Sequence, residues 1–185
     1  MTVMIVAVDG PAAAGKGTLA GSLARALNLP HLDTGLLYRA VARQMLLRGL
    51  DPQVEDGEAV AQALLPVDLM RNDLRVPEID RAASTVATQP KVRAALLQRQ
   101  RDFAAATGAV IDGRDIGTVV FPNATVKLFV TASARTRALR RHRQWHGDAM
   151  PDEAHLDALV ADIEARDAKD ANRPVSPLRC AEDAV

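Results

Sequence analysis

The sequence predicts a doubly wound α/β domain, in which helices flank both faces of a parallel sheet. A near-continuous apolar run at residues 3–8 has the pattern of a strand buried on both faces. It leads into a glycine-rich turn and then a helical segment, which is how such a sheet opens. Two further apolar runs, 109–111 and 126–130, also end in polar loops. The length of 185 residues fits one domain.

The first half of the chain predicts two strand–helix units followed by an insertion. Residues 18–27 form the first helix, and a short strand at 31–33 leads into a second helix at 35–48. Thr34 is placed to cap the second helix, and Gly49 follows its end. Residues 51–77 are more polar and contain three prolines, so we expect a surface insertion with one helix near residues 58–65.

The second half predicts the remaining strands and three long helices. Pro90 fits the first turn of a helix that ends near Gly108, because a missing N–H costs nothing there. Strands at 109–111 and 126–130 are followed by helices at about 134–145 and 152–169. Ligands of doubly wound sheets bind beyond the carboxyl ends of the strands, so the charged motifs after these strands are candidate site residues.

The composition excludes several classes of partner. The chain has 23 basic and 23 acidic residues, so any recognition of anions must be local rather than driven by overall charge. Aromatic residues make up only 3%, which argues against a stacking platform for a nucleic-acid polymer. The first apolar run is too short to span a membrane and lacks the basic leader of a signal peptide. Cys180 has no second cysteine to pair with, which together with the lack of a secretory signal indicates the reducing cytoplasm. We also expect a monomer.

A glycine-rich turn after the first strand predicts a phosphate site. Its G-x-x-x-x-G-K core lies between a strand and a helix, as a P-loop requires. Backbone N–H groups and the helix N-terminus can wrap a phosphate, and the lysine can reach the terminal phosphoryl groups of ATP. The residues concerned are Gly10, Pro11, Ala12, Ala13, Ala14, Gly15, Lys16, Gly17 and Thr18.

A magnesium site is predicted beside this turn. Thr18 follows the lysine one place later than in the strict motif, and Asp112 ends an apolar strand. A carboxylate in that position holds Mg²⁺ next to a P-loop, directly or through water. The alternative for Asp112 is a helix cap or turn residue, which is how many strands end.

Five segments in the same order resemble the cytidylate kinase family of P-loop nucleoside monophosphate kinases. They are residues 8–18, 32–39, 83–87 with 92–93, 112–120 and 166–173, and together they span most of the chain. The run Asp112-Gly113-Arg114-Asp115 is the most specific of them. The resemblance implies a P-loop fold with a monophosphate-binding insertion and a mobile lid. It also implies phosphorylation of CMP and dCMP by ATP with Mg²⁺.

The resemblance also implies roles for matching residues. Thr34, Arg39 and Arg114 would hold the CMP phosphate, and Ser84, Arg93 and Asp115 would surround the cytosine. Asp170 and Arg173 would hold the ribose hydroxyl and the nucleotide phosphate. Each has a simpler alternative: Thr34 as a helix cap, Arg39 as a solvated arginine, Ser84 as a small packing residue. Asp115 could instead pair with a neighbouring arginine to shape its loop.

A helix with five arginines and no acid resembles the root of the family's mobile lid. Repulsion on one helix is costly unless an anion visits, and a transferring phosphoryl group is such an anion. The predicted catalytic residues are Lys16, Arg114, Arg137 and Arg141. Arg135 and Arg143 fit a solvated face equally well, and the acidic run from Asp152 onward can neutralise the helix. The four histidines show no spacing from which we predict a metal site.

The resemblance divides one kinase domain into parts, and two departures leave alternatives open. The core comprises 1–33 and 94–140, the monophosphate-binding region 34–93, the lid about 141–155, and the C-terminal helix region 152–185. The family's small antiparallel sheet between Arg75 and Asp80 is reduced here. The family also continues past Val185 with a strand and a helix, so we expect a truncated chain with an open sheet edge. The alternatives are a nucleotide-binding module with little or no turnover, or a kinase for another nucleoside monophosphate.

Overall fold

The structure, a computed structural model, describes residues 3–185 and contains a four-stranded parallel sheet. The strands are β1 (Ile5–Asp9), β2 (His31–Asp33), β3 (Ala109–Gly113) and β4 (Val126–Phe129), in the order β2-β3-β1-β4. In register, Val6 of β1 lies between Val110 of β3 and Val126 of β4. The predicted α/β class is therefore confirmed. Since all four strands are parallel, their carboxyl ends meet at one edge of the sheet.

Seven α-helices accompany the sheet in the described residues. They are α1 (Lys16–Leu27), α2 (Thr34–Leu47), α3 (Glu58–Gln62), α4 (Pro77–Val86), α5 (Pro90–Ala105), α6 (Ala134–His146) and α7 (Glu153–Asn172). Short 3-10 turns lie at Pro66–Met70 and Asn72–Arg75, and a π-helical turn lies at Ile116–Val120. Among the helices that the structure describes, none has the length and hydropathy needed to cross a membrane.

Both faces of the sheet are buried, which is why the strands are apolar throughout rather than alternating. On one face Val6, Val8 and Val110 pack against Ala20 and Ala24 of α1. On the other face lies a second apolar cluster, which consists of Ile5, Ala7, Ala104, Ala109, Ile111, Ile116 and Val120. The small alanines let α1 lie close to the sheet, which brings the turn before α1 to the carboxyl edge.

The insertion after β2 has its own apolar core. Leu37, Val41 and Met45 of α2 pack with Leu74 and Val86 from the segment that follows. Residues 76–79, expected as the remnant of a small sheet, instead begin a helix, because Pro77 occupies its first position and carries no N–H to leave unpaired. The insertion is therefore a helical layer, and α4 presents its side chains toward the carboxyl edge of the sheet.

Two local predictions are corrected by the structure. Thr34 does not cap α2, since it is the first helical residue and its hydroxyl donates to the Asp112 carbonyl at 2.8 Å. The outer edge of β4 is not left open as expected, because Val185 donates to the Lys127 carbonyl at 3.0 Å and accepts from the Phe129 N–H at 2.7 Å. A salt bridge of 2.8 Å between Lys127 and Asp183 holds the same segment against the strand.

Candidate active site

A deep cleft of about 1210 Å³ opens at the carboxyl edge of the sheet. Its volume exceeds the ~300–1,000 Å³ of an ordinary single-ligand pocket, so it has room for two substrates. Nine basic side chains and four carboxylates line it, although the whole chain carries no net charge. The basic lining residues are Lys16, Arg39, Arg75, Arg93, Arg114, Arg140, Arg141, Arg166 and Arg173. The positive charge is thus concentrated where anionic ligands would bind, as the balanced composition predicts.

The glycine-rich turn forms one wall of this cleft. Residues 12–18 line it, while Gly10 and Pro11 lie buried beneath and do not. Gly10 has a φ of 146° and Gly15 a φ of 100°, conformations that side chains with a Cβ rarely adopt. At Gly10 a Cβ would also collide with the Val130 carbonyl, so the turn needs glycine there for two reasons.

Lys16 lies at the base of the turn with its charge poorly compensated. Its Nζ donates to the Pro11 carbonyl at 2.8 Å, and the side chain is buried. Burial, with the nearby charge of Arg114, lowers the pKa of Lys16 well below its ordinary value. An ammonium in this condition is stabilised by any anion that enters the turn, which is the behaviour expected of a phosphate-binding lysine.

Oxygen ligands suited to magnesium gather beside the turn. Asp112, at the end of β3, lines the cleft together with Asp33 and the exposed Thr18. The Asp112 Oδ1 lies 2.6 Å from His31 Nε2, and this hydrogen bond raises the pKa of His31. Carboxylate and hydroxyl oxygens are the hard donors that Mg²⁺ prefers, so the residues present fit that ion.

A buried acid–base group lies on the side of the cleft formed by the insertion. Arg93 of α5 donates to Asp115, and its guanidinium carbon lies 5.5 Å from the centre of the Tyr38 ring. Arg173 approaches the other oxygen of Asp115 to 3.7 Å. Ser84 of α4 lines the same cleft. The predicted pairing of Asp115 with a neighbouring arginine is therefore present, and it places a carboxylate and two guanidinium groups where a ligand can reach them.

Asp80 of α4 joins three arginines from three other helices. It accepts from Arg39 at 2.9 Å, and from Arg141 and Arg166 at 2.5 Å each. Burial alone would raise the pKa of Asp80, but the charges of the three arginines outweigh it and hold that pKa well below its ordinary range. Arg39 is thus a buried, paired residue rather than a solvated one.

Arg114 and Asp170 form a further ion pair in the cleft, with Nε and Oδ2 3.0 Å apart. Several guanidinium nitrogens nearby are buried and lack a hydrogen-bond partner within residues 3–185, namely Arg39 Nε, Arg93 Nε, Arg166 Nε and Arg173 Nη2. Unpaired buried donors are costly, and a phosphate or a base carrying acceptors would satisfy them. The cleft is therefore organised for an anionic, hydrogen-bonding ligand.

Arg137 is the predicted site residue that the structure places elsewhere. It does not line the cleft, and its guanidinium donates to the Ala132 carbonyl at 2.9 Å, to the Ala12 carbonyl and to Asp167. The Arg137 guanidinium is thus engaged behind the glycine-rich turn. Its catalytic role stays a prediction.

Arg140 and Arg166, which line the cleft, and the buried Asp80 escaped the sequence analysis. Arg140 donates to the Ala14 carbonyl at 2.7 Å, and Arg166 and Asp80 belong to the network described above. Arg140 stands in the arginine-rich helix, but nothing in its spacing separates it from Arg137. Asp80 lies in the first turn of α4. From sequence alone, an acidic residue there is explained by its favourable interaction with the helix dipole.

Comparison with known proteins identifies relatives over nearly the full length of the chain. The family model for cytidylate kinase matches residues 6–185. A cytidylate kinase of Granulibacter bethesdensis is 60% identical over 182 residues, covering 98% of this chain and 86% of its relative. The corresponding protein of Acidiphilium cryptum is 57% identical over 98% of this chain and 85% of its own length. That of Chromobacterium violaceum is 48% identical over 100% and 87%.

Proposed function

The chain belongs to the cytidylate kinase family, and we propose that it transfers the terminal phosphoryl group of ATP to CMP and dCMP. The observation that carries this proposal is the buried Asp115, held by Arg93 and Arg173 in a cleft that also contains a phosphate-binding turn. A carboxylate with adjacent donors is what cytosine recognition requires, and the turn supplies the second nucleotide site. CDP or dCDP and ADP are the products.

Cytosine is complementary to this group of side chains. Its 4-amino group donates, and its N3 and O2 accept, so Asp115 accepts a hydrogen bond from the amino group while Arg93 and Ser84 donate to the ring. Uracil would place a carbonyl oxygen against the carboxylate and leave buried groups unpaired, which costs several kcal/mol in comparable sites. Asp170 and Arg173 are proposed to hold the ribose hydroxyl and the nucleotide phosphate. These contacts favour CMP and dCMP over UMP.

The remaining basic residues are proposed to bind and align the two phosphates. Thr34, Arg39 and Arg114 hold the CMP phosphate, while Lys16 and the backbone of residues 10–18 hold ATP. An oxygen of the CMP phosphate forms a bond to the γ-phosphorus as the bond to the leaving ADP oxygen breaks. Such a transfer needs alignment and charge neutralisation more than a general base.

Magnesium and the lid complete the proposed site. Thr18 and Asp112 would hold Mg²⁺, which supplies charge neutralisation on the ATP phosphates. Arg141, on the lid at about residues 141–155, contributes positive charge to the transferring group when the lid closes. Closure also excludes water, which would otherwise accept the phosphoryl group. We propose that the protein is a monomer. We also propose that it lies in the cytoplasm, where the exposed Cys180 thiol stays reduced.

The test is ADP release by the purified chain from Mg-ATP with CMP, dCMP, UMP or AMP offered separately. Turnover confined mainly to CMP and dCMP is expected. Asp115→Asn keeps the shape of the side chain but removes its charge, so it should narrow the preference for CMP over UMP. Equal turnover with all four acceptors, or no turnover from folded protein, would overturn the assignment.

A further inference from the structure

Three histidines from two helices converge where α6 ends and α7 begins, outside the nucleotide cleft. His142 and His146 lie on α6, and His155 lies in the first turn of α7. One ring nitrogen from each lies within 4.8 Å of those of the other two. Their ring centres are 4.7 Å, 5.3 Å and 6.1 Å apart. None of the three lines the cleft.

The buried member of this group has no partner for either ring nitrogen. His142 is 7% exposed, and both Nδ1 and Nε2 lack a hydrogen bond within residues 3–185. A buried imidazole normally satisfies its polar atoms, because an unmade hydrogen bond there costs about 1–3 kcal/mol. The ring faces two other imidazoles rather than an acid or a carbonyl. An electron-pair acceptor between the three rings would satisfy one of its two ring nitrogens.

The backbone arrangement suits a shared ion. Residues four apart lie on the same face of a helix, so His142 and His146 form a pair of the kind that binds zinc in helical sites. The His155 N–H donates to Asp152 at 2.8 Å, which fixes the start of α7 opposite that pair. Gly147, with a φ of 70°, ends α6 and lets the chain turn back between the two helices.

From this geometry we propose that His142, His146 and His155 bind one divalent transition-metal ion of the zinc class, which ties α6 to α7. Zinc–nitrogen bonds of about 2.1 Å in a tetrahedral site place nitrogens about 3.4 Å apart. The farthest pair must therefore close by about 1.4 Å, and His146 and His155 are exposed and can rotate to do so. The fourth position is open to water. Imidazoles select zinc-class ions over Mg²⁺, which prefers oxygen ligands, so this site is separate from the one beside the turn.

A metal at this place would act on the lid without touching nucleotide. His142 directly follows Arg141, which contacts Asp80, and Trp145 between the two histidines donates to the Arg75 carbonyl at 3.2 Å. α7 carries Arg166 and Asp170 into the cleft. Fixing the ends of α6 and α7 to each other therefore restrains the helix pair that supplies these groups.

The experiment is titration of the untagged full chain, free of nucleotide, with Zn²⁺ by calorimetry and with Co²⁺ by visible absorption. One ion per chain is expected, with a micromolar or tighter dissociation constant and an upward shift of Tm. His146→Gln and His155→Gln, both at exposed positions, should each weaken binding at least about tenfold, since even indirect ligand partners contribute that much. Cys180→Ser is the matched control, because it removes the other soft ligand, and it should bind as the wild type does.

Several results would overturn the site. They are a dissociation constant in the millimolar range, unchanged binding in either histidine variant, or loss of binding in Cys180→Ser. Circular dichroism of each variant establishes that it is folded before titration. The readout does not involve phosphoryl transfer, so its failure leaves the proposed kinase function standing, and failure of the kinase assay leaves the metal site standing.

Discussion

Replacing Asp80 by Asn should destabilise the nucleotide-free protein far more than the loss of one ordinary ion pair. The carboxylate is 5% exposed and is the shared acceptor for Arg39, Arg141 and Arg166. Asparagine keeps the size of the side chain but leaves three largely buried guanidinium groups without their counter-charge. Breaking a buried ion pair by removing one partner costs about 3–5 kcal/mol. Because two of the arginines are partly exposed, we expect the lower end, about 3 kcal/mol.

The assay is urea unfolding at pH 7.5, followed by circular dichroism. The free energies of unfolding of wild type and variant are compared with one shared m-value. Asp73→Asn is the matched control, since Asp73 contacts Arg43 alone and is about half exposed. That control should lose much less stability than Asp80→Asn, because exposed pairs contribute little. A loss for Asp80→Asn no larger than that of the control would refute the assignment of Asp80 as the centre of the network.

Saturating CMP should then reduce the difference between Asp80→Asn and wild type. The CMP phosphate presents anionic oxygens to Arg39 and its neighbours, and so replaces part of what the mutation removed. If the difference shrinks by about 1.4 kcal/mol, linkage requires CMP to bind the variant about tenfold more tightly than wild type. Calorimetry measures that affinity independently. An unchanged difference would show that CMP does not engage these arginines.

The ion pairs of Asp80 with its three arginines also determine how folding stability depends on pH. The pKa of folded Asp80 lies below its ordinary value of 3.8, so the carboxylate stabilises the fold fully above that value. The contribution is lost as the pH falls below about 4 toward the pKa of the folded state. Wild type should therefore lose stability more steeply than Asp80→Asn as the pH falls below about 4, and parallel curves would contradict the network.

Three further predictions concern the cleft. Lys16→Ala should lower turnover by orders of magnitude with an unchanged circular dichroism spectrum, because the ammonium neutralises charge on the transferring phosphoryl group. Near-normal activity would exclude this role. Asp115→Asn should lower kcat/KM for CMP about a hundredfold, as loss of a charged hydrogen bond of about 2–3 kcal/mol implies, and a steady-state comparison with UMP checks it. Gly10→Ala should lower Tm by several degrees, since its Cβ meets the Val130 carbonyl; scanning calorimetry showing no change would contradict that contact.

The sheet and the phosphate-binding turn were predictable because their signals are local. Continuous apolar runs give β1 and β3, and the glycine pattern fixes the turn between β1 and α1 without reference to distant residues. The resemblance to a known family placed Arg93, Asp115 and Arg173 in one site, and the structure brings those three together. Their assigned roles remain predictions for the assays above.

What sequence could not predict depends on contacts between distant segments. Asp80 lies 61 positions from Arg141 and 86 from Arg166, and nothing near it in the chain indicates an arginine partner. The three-histidine group escaped for the same reason, although the four-residue spacing of His142 and His146 was a local signal for half of it. His155 joins them only because the chain reverses between α6 and α7.

Contacts of helix α6 with other elements resolve a conflict that its arginine-rich sequence leaves open. Five arginines without an acid would repel one another, yet each of the three that point inward has an acceptor from another element. Arg137 and Arg140 use carbonyls of the glycine-rich turn, Arg137 also uses Asp167, and Arg141 uses Asp80. Arg135 pairs with Glu153, a member of the acidic run expected to neutralise the helix.

These acceptors differ in what a nucleotide can do to them. The carbonyls and Asp167 hold Arg137 behind the turn, so that contact need not change when a phosphate arrives. Asp80 instead offers Arg39, Arg141 and Arg166, which line the cleft, the same kind of anionic oxygen that a phosphoryl group offers. These arginines of the cleft are therefore held in place by a carboxylate of the protein itself, and we expect substrate phosphate to compete with that carboxylate for them. Because these three long side chains are already ordered, binding costs less side-chain conformational entropy. The displacement of Asp80 offsets part of that gain in binding free energy.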